Sequence, residues 1–264
     1  MQDLKGKTAI ITGGASGIGL GIARAFAREG MNLMLADVIP DRLDTARREL
    51  ESLGARVATV LTDVSNPASV AAAANAVQQT FGRLHVAVNN AGVPMHGKPI
   101  EQVTAEEWQR VIGVNITGVI NAIHCFVPMI RSHGEGGHVV NTASISGFFI
   151  RKGRNQGAYS MSKYAVVALS EALEQETEDA NIGVSVLCPG PVRTNLLASI
   201  STAPAAPAGM GDRLEPDVLG QRVVQAIRDR EFYVLTHASE RDVIKARHAR
   251  IEAAFDRAAA WQRS

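Results

Sequence analysis

Six short runs of β-branched and aliphatic residues, separated by amphipathic segments of helix length, constrain this 264-residue chain more than any other feature. The runs are Thr8 to Thr12, Asn32 to Asp37, Arg56 to Thr62, Leu84 to Asn89, His138 to Thr142 and Gly183 to Leu187. Their βαβ rhythm implies a parallel sheet, and their nearly continuous apolar character implies helices on both faces. The expected fold is α/β, a doubly wound parallel sheet in a single domain over residues 1–264. Helices are expected at Gly17 to Gly30, Asp41 to Leu53, Pro67 to Phe81, Ala105 to Ser132, Ala158 to Ala180, Pro216 to Asp229 and Arg241 to Ala259, with a seventh strand in Glu231 to Thr236. Residues 195–215, rich in Ala, Pro, Ser and Gly, break the rhythm. They follow the last clear strand closely, where a mobile loop can cover a substrate.

Composition narrows the partners. With 27 basic and 26 acidic residues the net charge is +1, which argues against nucleic acid or an anionic membrane and favours a small molecule. No apolar run in the sequence reaches the roughly 20 residues of a membrane span, and the polar N-terminal residues lack the layout of a signal peptide. Cys125 and Cys188 lie among apolar residues, as reduced core cysteines do, so neither a disulfide nor a metal site is expected. The expected location is the cytoplasm.

The turn Thr12-Gly13-Gly14-Ala15-Ser16-Gly17-Ile18-Gly19 follows the first strand and opens a helix. There, unpaired backbone N–H groups and the positive helix end can receive a pyrophosphate, and glycine permits close approach. A glycine cluster alone is equally at home in any tight strand-to-helix turn. Asp37, ending the second run 18 residues after Gly19, can accept hydrogen bonds from the adenosine ribose, although it could also cap a helix. Its carboxylate would repel a 2′-phosphate. Neither the glycine turn nor Val38 and Ile39 supplies a cation to offset that repulsion, so NAD is expected over NADP. These features specify the doubly wound sheet as Rossmann-type.

With the remaining motifs, the chain resembles the short-chain dehydrogenase/reductase family over nearly its whole length. The set comprises Thr12 to Gly19, Asp63-Val64, Asn89-Asn90-Ala91-Gly92, Asn115, Ser144, Tyr159-Ser160-Met161-Ser162-Lys163 and Pro189-Gly190-Pro191-Val192-Arg193-Thr194, in the family's order. The resemblance implies cofactor contacts from Gly13, Ser16, Gly17, Ile18, Gly19 and Asp37. It implies that Asp63 and Val64 hold the adenine, that Asn90, Ala91 and Gly92 close the floor behind the cofactor, and that Pro189, Gly190, Val192 and Thr194 support the nicotinamide and its phosphate. Plainer readings stand beside these: Asp63 capping the turn before Pro67, Asn89 to Gly92 ending a strand, Asn115 pairing only with backbone. The stretch from Ser144 to Tyr159 is two residues longer than the family usually shows and carries Arg151, Lys152 and Arg154. These are read as a solvated cluster or as an attractor for an acidic substrate group. Ser144 is chosen over Ser146 because it precedes Gly147 by three residues.

Tyr159 and Lys163, four apart, share one helix face. A neighbouring ammonium and an oxidised nicotinamide would favour phenolate, making Tyr159 the general base toward an alcohol, with Lys163 also on the nicotinamide ribose. Ser144 would orient the substrate oxygen, while Asn115, by the resemblance, would interrupt its helix and hold a water linking Lys163 to solvent. Val93 to Met95, Phe148 to Ile150, Leu196, Leu197 and Met210 suggest an apolar substrate wall, hence a lipophilic secondary alcohol or ketone. The run Phe232 to His237 and the Arg-rich helix after it resemble, weakly, bacterial aryl-ether Cα-dehydrogenases. A homotetramer through the two long helices is implied by the family resemblance. A non-catalytic dinucleotide sensor would show a damaged Ser, Tyr and Lys set, and a sugar epimerase or dehydratase would need a larger C-terminal domain.

Overall fold

The computed structural model describes residues 1–194 and 213–263. Seven parallel strands form one sheet: β1 (Thr8–Thr12), β2 (Asn32–Asp37), β3 (Val57–Leu61), β4 (Val86–Asn89), β5 (Gly137–Thr142), β6 (Ile182–Cys188) and β7 (Tyr233–Leu235). The helices are α1 (Gly17–Arg28), α2 (Pro40–Ser52), α3 (Pro67–Phe81), α4 (Ala105–Ile112), α5 (Gly118–Ser132), α6 (Gly157–Thr177), α7 (Pro216–Asp229) and α8 (Arg241–Gln262). This is the expected Rossmann-type fold. Every residue of β1, β4, β5 and β6 is buried, whereas β3 and β7 are partly exposed.

Alternation along the strands divides the core in two. Ala9, Ile11, Leu33, Leu35, Val86 and Val88 face Ile22 and Phe26 of α1 and Val223 and Ile227 of α7. Ile10, Met34, Ala87 and Val139 face Val70 and Val77 of α3 and Phe126 and Ile130 of α5. The strand order is β3-β2-β1-β4-β5-β6-β7. Connections therefore run outward in opposite directions from β1 and β4, and a crevice opens beyond the C-terminal ends of those two strands.

The expected single helix over 105–132 is one continuous run whose middle, Gly113–Thr117, is a π-helical turn containing Asn115. The run, 28 residues long with an 18-residue window of mean hydropathy 1.6, is long and apolar enough to cross a membrane, which corrects the expectation of no such segment. Its apolar residues include Val119, Ala122, Phe126, Val127 and Ile130, all buried in the protein core.

Residues 195–212 lie outside the described residues, and with them Leu196, Leu197, Met210 and most of the expected substrate-covering loop. The flanks of this stretch meet: Val192 bridges Leu214, and Leu214 N–H donates to the Pro191 carbonyl at 3.1 Å. Both cysteines are free, Cys188 buried and Cys125 half-buried.

Helices α1 and α7 touch backbone to backbone. A Cβ at Gly220 would stand 2.2 Å from the Gly21 carbonyl oxygen, and one at Gly21 would stand 2.3 Å from the Pro216 oxygen. In a solvated helix Gly→Ala stabilises by about 1 kcal/mol; at Gly220 the sign should reverse, with a loss of about 1–3 kcal/mol from overpacking. Urea unfolding at constant m-value checks this, and an unchanged or higher midpoint would contradict the packing.

Candidate active site

The glycine turn leaves the C-terminal end of β1 beside the end of β4. Gly13 and Gly17 adopt φ of +63° and +52°, in the left-handed region. The Asn90 amide donates to the carbonyls of Thr12 (3.0 Å) and Gly13 (3.3 Å), and Asn90 N–H and Ala91 N–H donate to Thr12 Oγ1. The Thr12 hydroxyl donates in turn to Val88 O at 3.3 Å. Space is absent for side chains: a Cβ at Gly19 would meet Gly13 O at 2.2 Å, and one at Gly13 would meet Ala91 Cα at 3.0 Å. Gly13, Ser16, Gly17 and Ile18 remain partly exposed. Ser16 stands at the N-cap of α1 without a capping bond from its own side chain, so the first N–H groups of this 12-residue helix open on the crevice uncapped by that side chain. That cradle fits a pyrophosphate.

Asp37 ends β2 next to this turn. Its carboxylate accepts N–H bonds from Ala15 (3.2 Å), Val38 (2.8 Å) and Ile39 (3.3 Å). The group is locked in place, and the two residues after it are apolar and exposed. Asp63 accepts from Ser65 N–H at 2.9 Å and from Ser65 Oγ at 2.7 Å, and so does cap its turn. Val64 is buried against α5, where a Cβ on Gly118 would come within 2.6 Å of it.

On the other side of the crevice, Ser144 follows β5 while Tyr159 and Lys163 sit on the first two turns of α6. The Ser144 hydroxyl stands near enough to the Tyr159 phenol to favour its ionised form and lies 3.4 Å from the Pro189 carbonyl. Lys163 Nζ lies 5.7 Å from the Tyr159 ring centroid and donates to Thr142 O at 2.9 Å. Asn115 pins neighbouring backbone: its Oδ1 accepts Val93 N–H at 2.8 Å, and its amide donates to Val93 O and Ser162 Oγ, both at 3.0 Å. Gly92 fills the gap between these groups, since a Cβ there would stand 3.4 Å from Asn115 Oδ1 and 3.6 Å from Lys163 Nζ. Ser146 pairs instead with Gln156, at 3.2 Å.

The electrostatics differ from the sequence expectation in one respect. Burial pushes the Tyr159 phenol above its ordinary value, and the nearby Ser144 hydroxyl opposes that shift only in part. The same burial brings Lys163 down to about 8, which leaves ammonium its major form at neutral pH. Desolvation dominates both groups, and a positive charge brought into the cleft would act against it at the phenol.

His96 is a residue that the sequence reading missed. Its ring lies 5.0 Å from that of Tyr159, and its pKa is lowered by burial and by Arg154. It belongs to a loop tied to the longer 144–159 stretch by Gly97 N–H to Asn155 O at 3.0 Å, and no motif marks it. Arg151 pairs with Glu240 at 2.6 Å and covers Phe149, while Lys152 is solvated. Of the expected wall, Phe148 packs on Tyr233 at 5.8 Å and Ile150 is 64% exposed. At the opposite end of the strands, His85, His133 and Glu135 bring potential ligand atoms within 4.8 Å. Thr8 N–H, Glu135 Oε2, Leu84 O and Glu135 N–H engage all four ring nitrogens, so the trio is a hydrogen-bonded brace.

Comparison with known proteins identifies relatives of the whole chain. The short chain dehydrogenase family model matches residues 7–205. A C alpha-dehydrogenase of Sphingobium sp. is 32% identical over 92% of this chain and 84% of its own length. A 3beta-hydroxysteroid dehydrogenase 2 of Eggerthella lenta is 37% identical over 73% of this chain and 74% of its own. The crystal structure of a short chain dehydrogenase/reductase from Burkholderia phymatum in complex with NAD superposes with a TM-score of 0.88, at 35% identity and 96% coverage of both chains. By family match, sequence identity and fold alike, the chain belongs to the short-chain dehydrogenase/reductase family of oxidoreductases.

Proposed function

We propose that this chain interconverts a lipophilic secondary alcohol and its ketone with NAD(H), Tyr159 serving as general acid and base. The observation that carries the reading is the gathering of Ser144, Tyr159 and Lys163 at the C-terminal ends of the strands, with Lys163 Nζ 5.7 Å from the Tyr159 ring centroid and the Ser144 hydroxyl favouring the ionised phenol. Gly13, Ser16, Gly17, Ile18 and Gly19 would hold the pyrophosphate, Asp37 the adenosine ribose, Asp63 and Val64 the adenine, Asn90, Ala91 and Gly92 the floor, and Pro189, Gly190, Val192 and Thr194 the nicotinamide end. The nicotinamide, when bound, supplies the hydride acceptor or donor.

The chain's own residues manage the proton. Ser144 hydrogen-bonds the substrate oxygen and orients it toward Tyr159, which takes the hydroxyl proton during oxidation and returns it during reduction. Lys163 contributes positive charge beside the phenol and a donor toward the ribose. Asn115, by fixing Val93 and Ser162, shapes the floor behind Lys163 and would support a water path to solvent. The Val93 to Met95 strip and the hydroxysteroid named in one relative support a lipophilic substrate, and the free cysteines are compatible with a cytoplasmic setting.

Three outcomes test the reading. At fixed salt NADH should bind at least about tenfold more tightly than NADPH, because a 2′-phosphate would meet Asp37; equal dissociation constants in a fluorescence titration would sink the preference, and Asp37→Ala with Val38→Arg should move it toward NADPH. Tyr159→Phe should lower turnover by about 10²- to 10⁴-fold while NADH affinity stays nearly unchanged. More than about a tenth of wild-type turnover, with chemistry rate-limiting, would assign the proton to another group. The assembly should be a homotetramer built through the helical run 105–132 and α6, where Ile112 and Ile120 are exposed; sedimentation of a stable monomer at micromolar concentration would refute it.

A further inference from the structure

Strand β7 returns the chain to the far end of β6, since Val186, Leu187 and Cys188 pair in parallel with Tyr233, Val234 and Leu235. The residues after β7 therefore meet the Pro189 to Pro191 turn that follows β6. Gly190 N–H donates to Thr236 Oγ1 and to His237 Nδ1, both at 3.2 Å, and the Thr236 hydroxyl lies 2.7 Å from the same ring nitrogen. A ring nitrogen accepts a main-chain N–H only when it carries no proton, so Nδ1 is the acceptor and Nε2 bears the hydrogen. That Nε2 is buried with no hydrogen-bond partner among the described residues. The imidazole also occupies the place a side chain at position 190 would need, because a Cβ there would stand 2.6 Å from His237 Cγ and Nδ1. Gly190 and His237 are a matched pair.

The turn is joined to the reaction centre at its other end. The Pro189 carbonyl accepts Ile145 N–H at 3.0 Å and the Ser144 hydroxyl at 3.4 Å. Thr194 lies against the glycine turn, where a Cβ at Gly17 would stand 3.2 Å from Thr194 Cγ2. Residues 189–194 thus run from Ser144 to the glycine turn, along the half of the crevice away from Asp37. Three residues beyond His237, Glu240 pairs with Arg151 in the longer stretch between Ser144 and Tyr159. One short segment, 236–240, holds two walls of the cleft.

We propose that His237 is a positioning residue for the nicotinamide end of the bound dinucleotide, acting through the Gly190 N–H and the turn that carries it. The proposal rests on the dinucleotide reading of the crevice. Without the imidazole, Gly190 keeps only Thr236 as acceptor, a void opens beneath the turn, and the turn no longer has a single position from which to meet the ligand. The adenosine end, set by β1 and β2, is untouched.

Calorimetric titration of wild type, His237→Ala and His237→Asn with NADH and with ADP-ribose, which lacks the nicotinamide, separates the roles. His237→Ala should weaken NADH about 5- to 50-fold, the range expected for a lost acceptor, and leave ADP-ribose within about twofold. His237→Asn should recover most of the loss, because its Oδ1 can accept the Gly190 N–H. Gly190→Ala, which drives a Cβ into the imidazole, should repeat the NADH-selective defect and serves if the alanine variant at 237 does not fold. Equal losses for both ligands, unchanged NADH affinity, or an asparagine variant as damaged as alanine would overturn the proposal. A wild-type chain that bound neither ligand would overturn the dinucleotide reading itself, and the proposal with it.

Discussion

The hydrogen bonds between Thr12 and Asn90 join the ends of β1 and β4, and the geometry of the whole site depends on that junction. One threonine hydroxyl accepts two backbone N–H groups and donates to a carbonyl, while the Asn90 amide reaches back to two carbonyls of the glycine turn. These groups would otherwise be strand-end orphans in a partly buried place, where an unmet donor or acceptor costs about 1–3 kcal/mol. Meeting that demand brings the Ala91 backbone against Gly13 and the Asn90 amide against Gly19, so that neither glycine has room for a Cβ. The glycine turn is therefore a consequence of packing as well as a ligand cradle, and the two causes select the same residue.

Across the crevice, burial sets the chemistry. The same loss of water raises the Tyr159 phenol and lowers Lys163 to about 8, so neither group is poised by its partner alone. A desolvated place also magnifies any charge that enters it. A cationic nicotinamide beside the phenol would act there with far more force than in water, coupling proton transfer to cofactor occupancy. The walls of this place come from distant parts of the chain: the π-helical turn at Asn115 braces Val93 and Ser162, Pro189 braces Ser144, and the C-terminal segment braces Gly190 and Arg151.

The basic stretch between Ser144 and Tyr159 illustrates how context assigns a charge. Of its three cations, Arg151 is paired with Glu240 and lies over Phe149, Lys152 is solvated, and Arg154 acts on His96 next to Tyr159. Three like charges within four residues thus have three different surroundings, as the loop turns at Gly153, between Lys152 and Arg154, and again at Asn155 just beyond them, both at positive φ.

The sequence by itself determined the strands, their parallel order in βαβ units and the spacing of Tyr159 and Lys163, because hydrophobic periodicity and helical phase are local properties that the chain carries wherever it goes. Thr8–Thr12, Asn32–Asp37, Pro67–Phe81 and Pro216–Asp229 agree to the residue for that reason. The glycine turn and Asp37 were legible as well, since a strand-to-helix turn and a strand end are positions in sequence. Only the tertiary structure decided that the Ser144 hydroxyl comes near the Tyr159 phenol, that His96 lies beside the same ring, that Phe148 turns to Tyr233 and that His237 fills the space a side chain at Gly190 would need. Each of these joins segments between 15 and about 85 residues apart. Their meeting follows from the order of strands in the sheet, which no local pattern encodes.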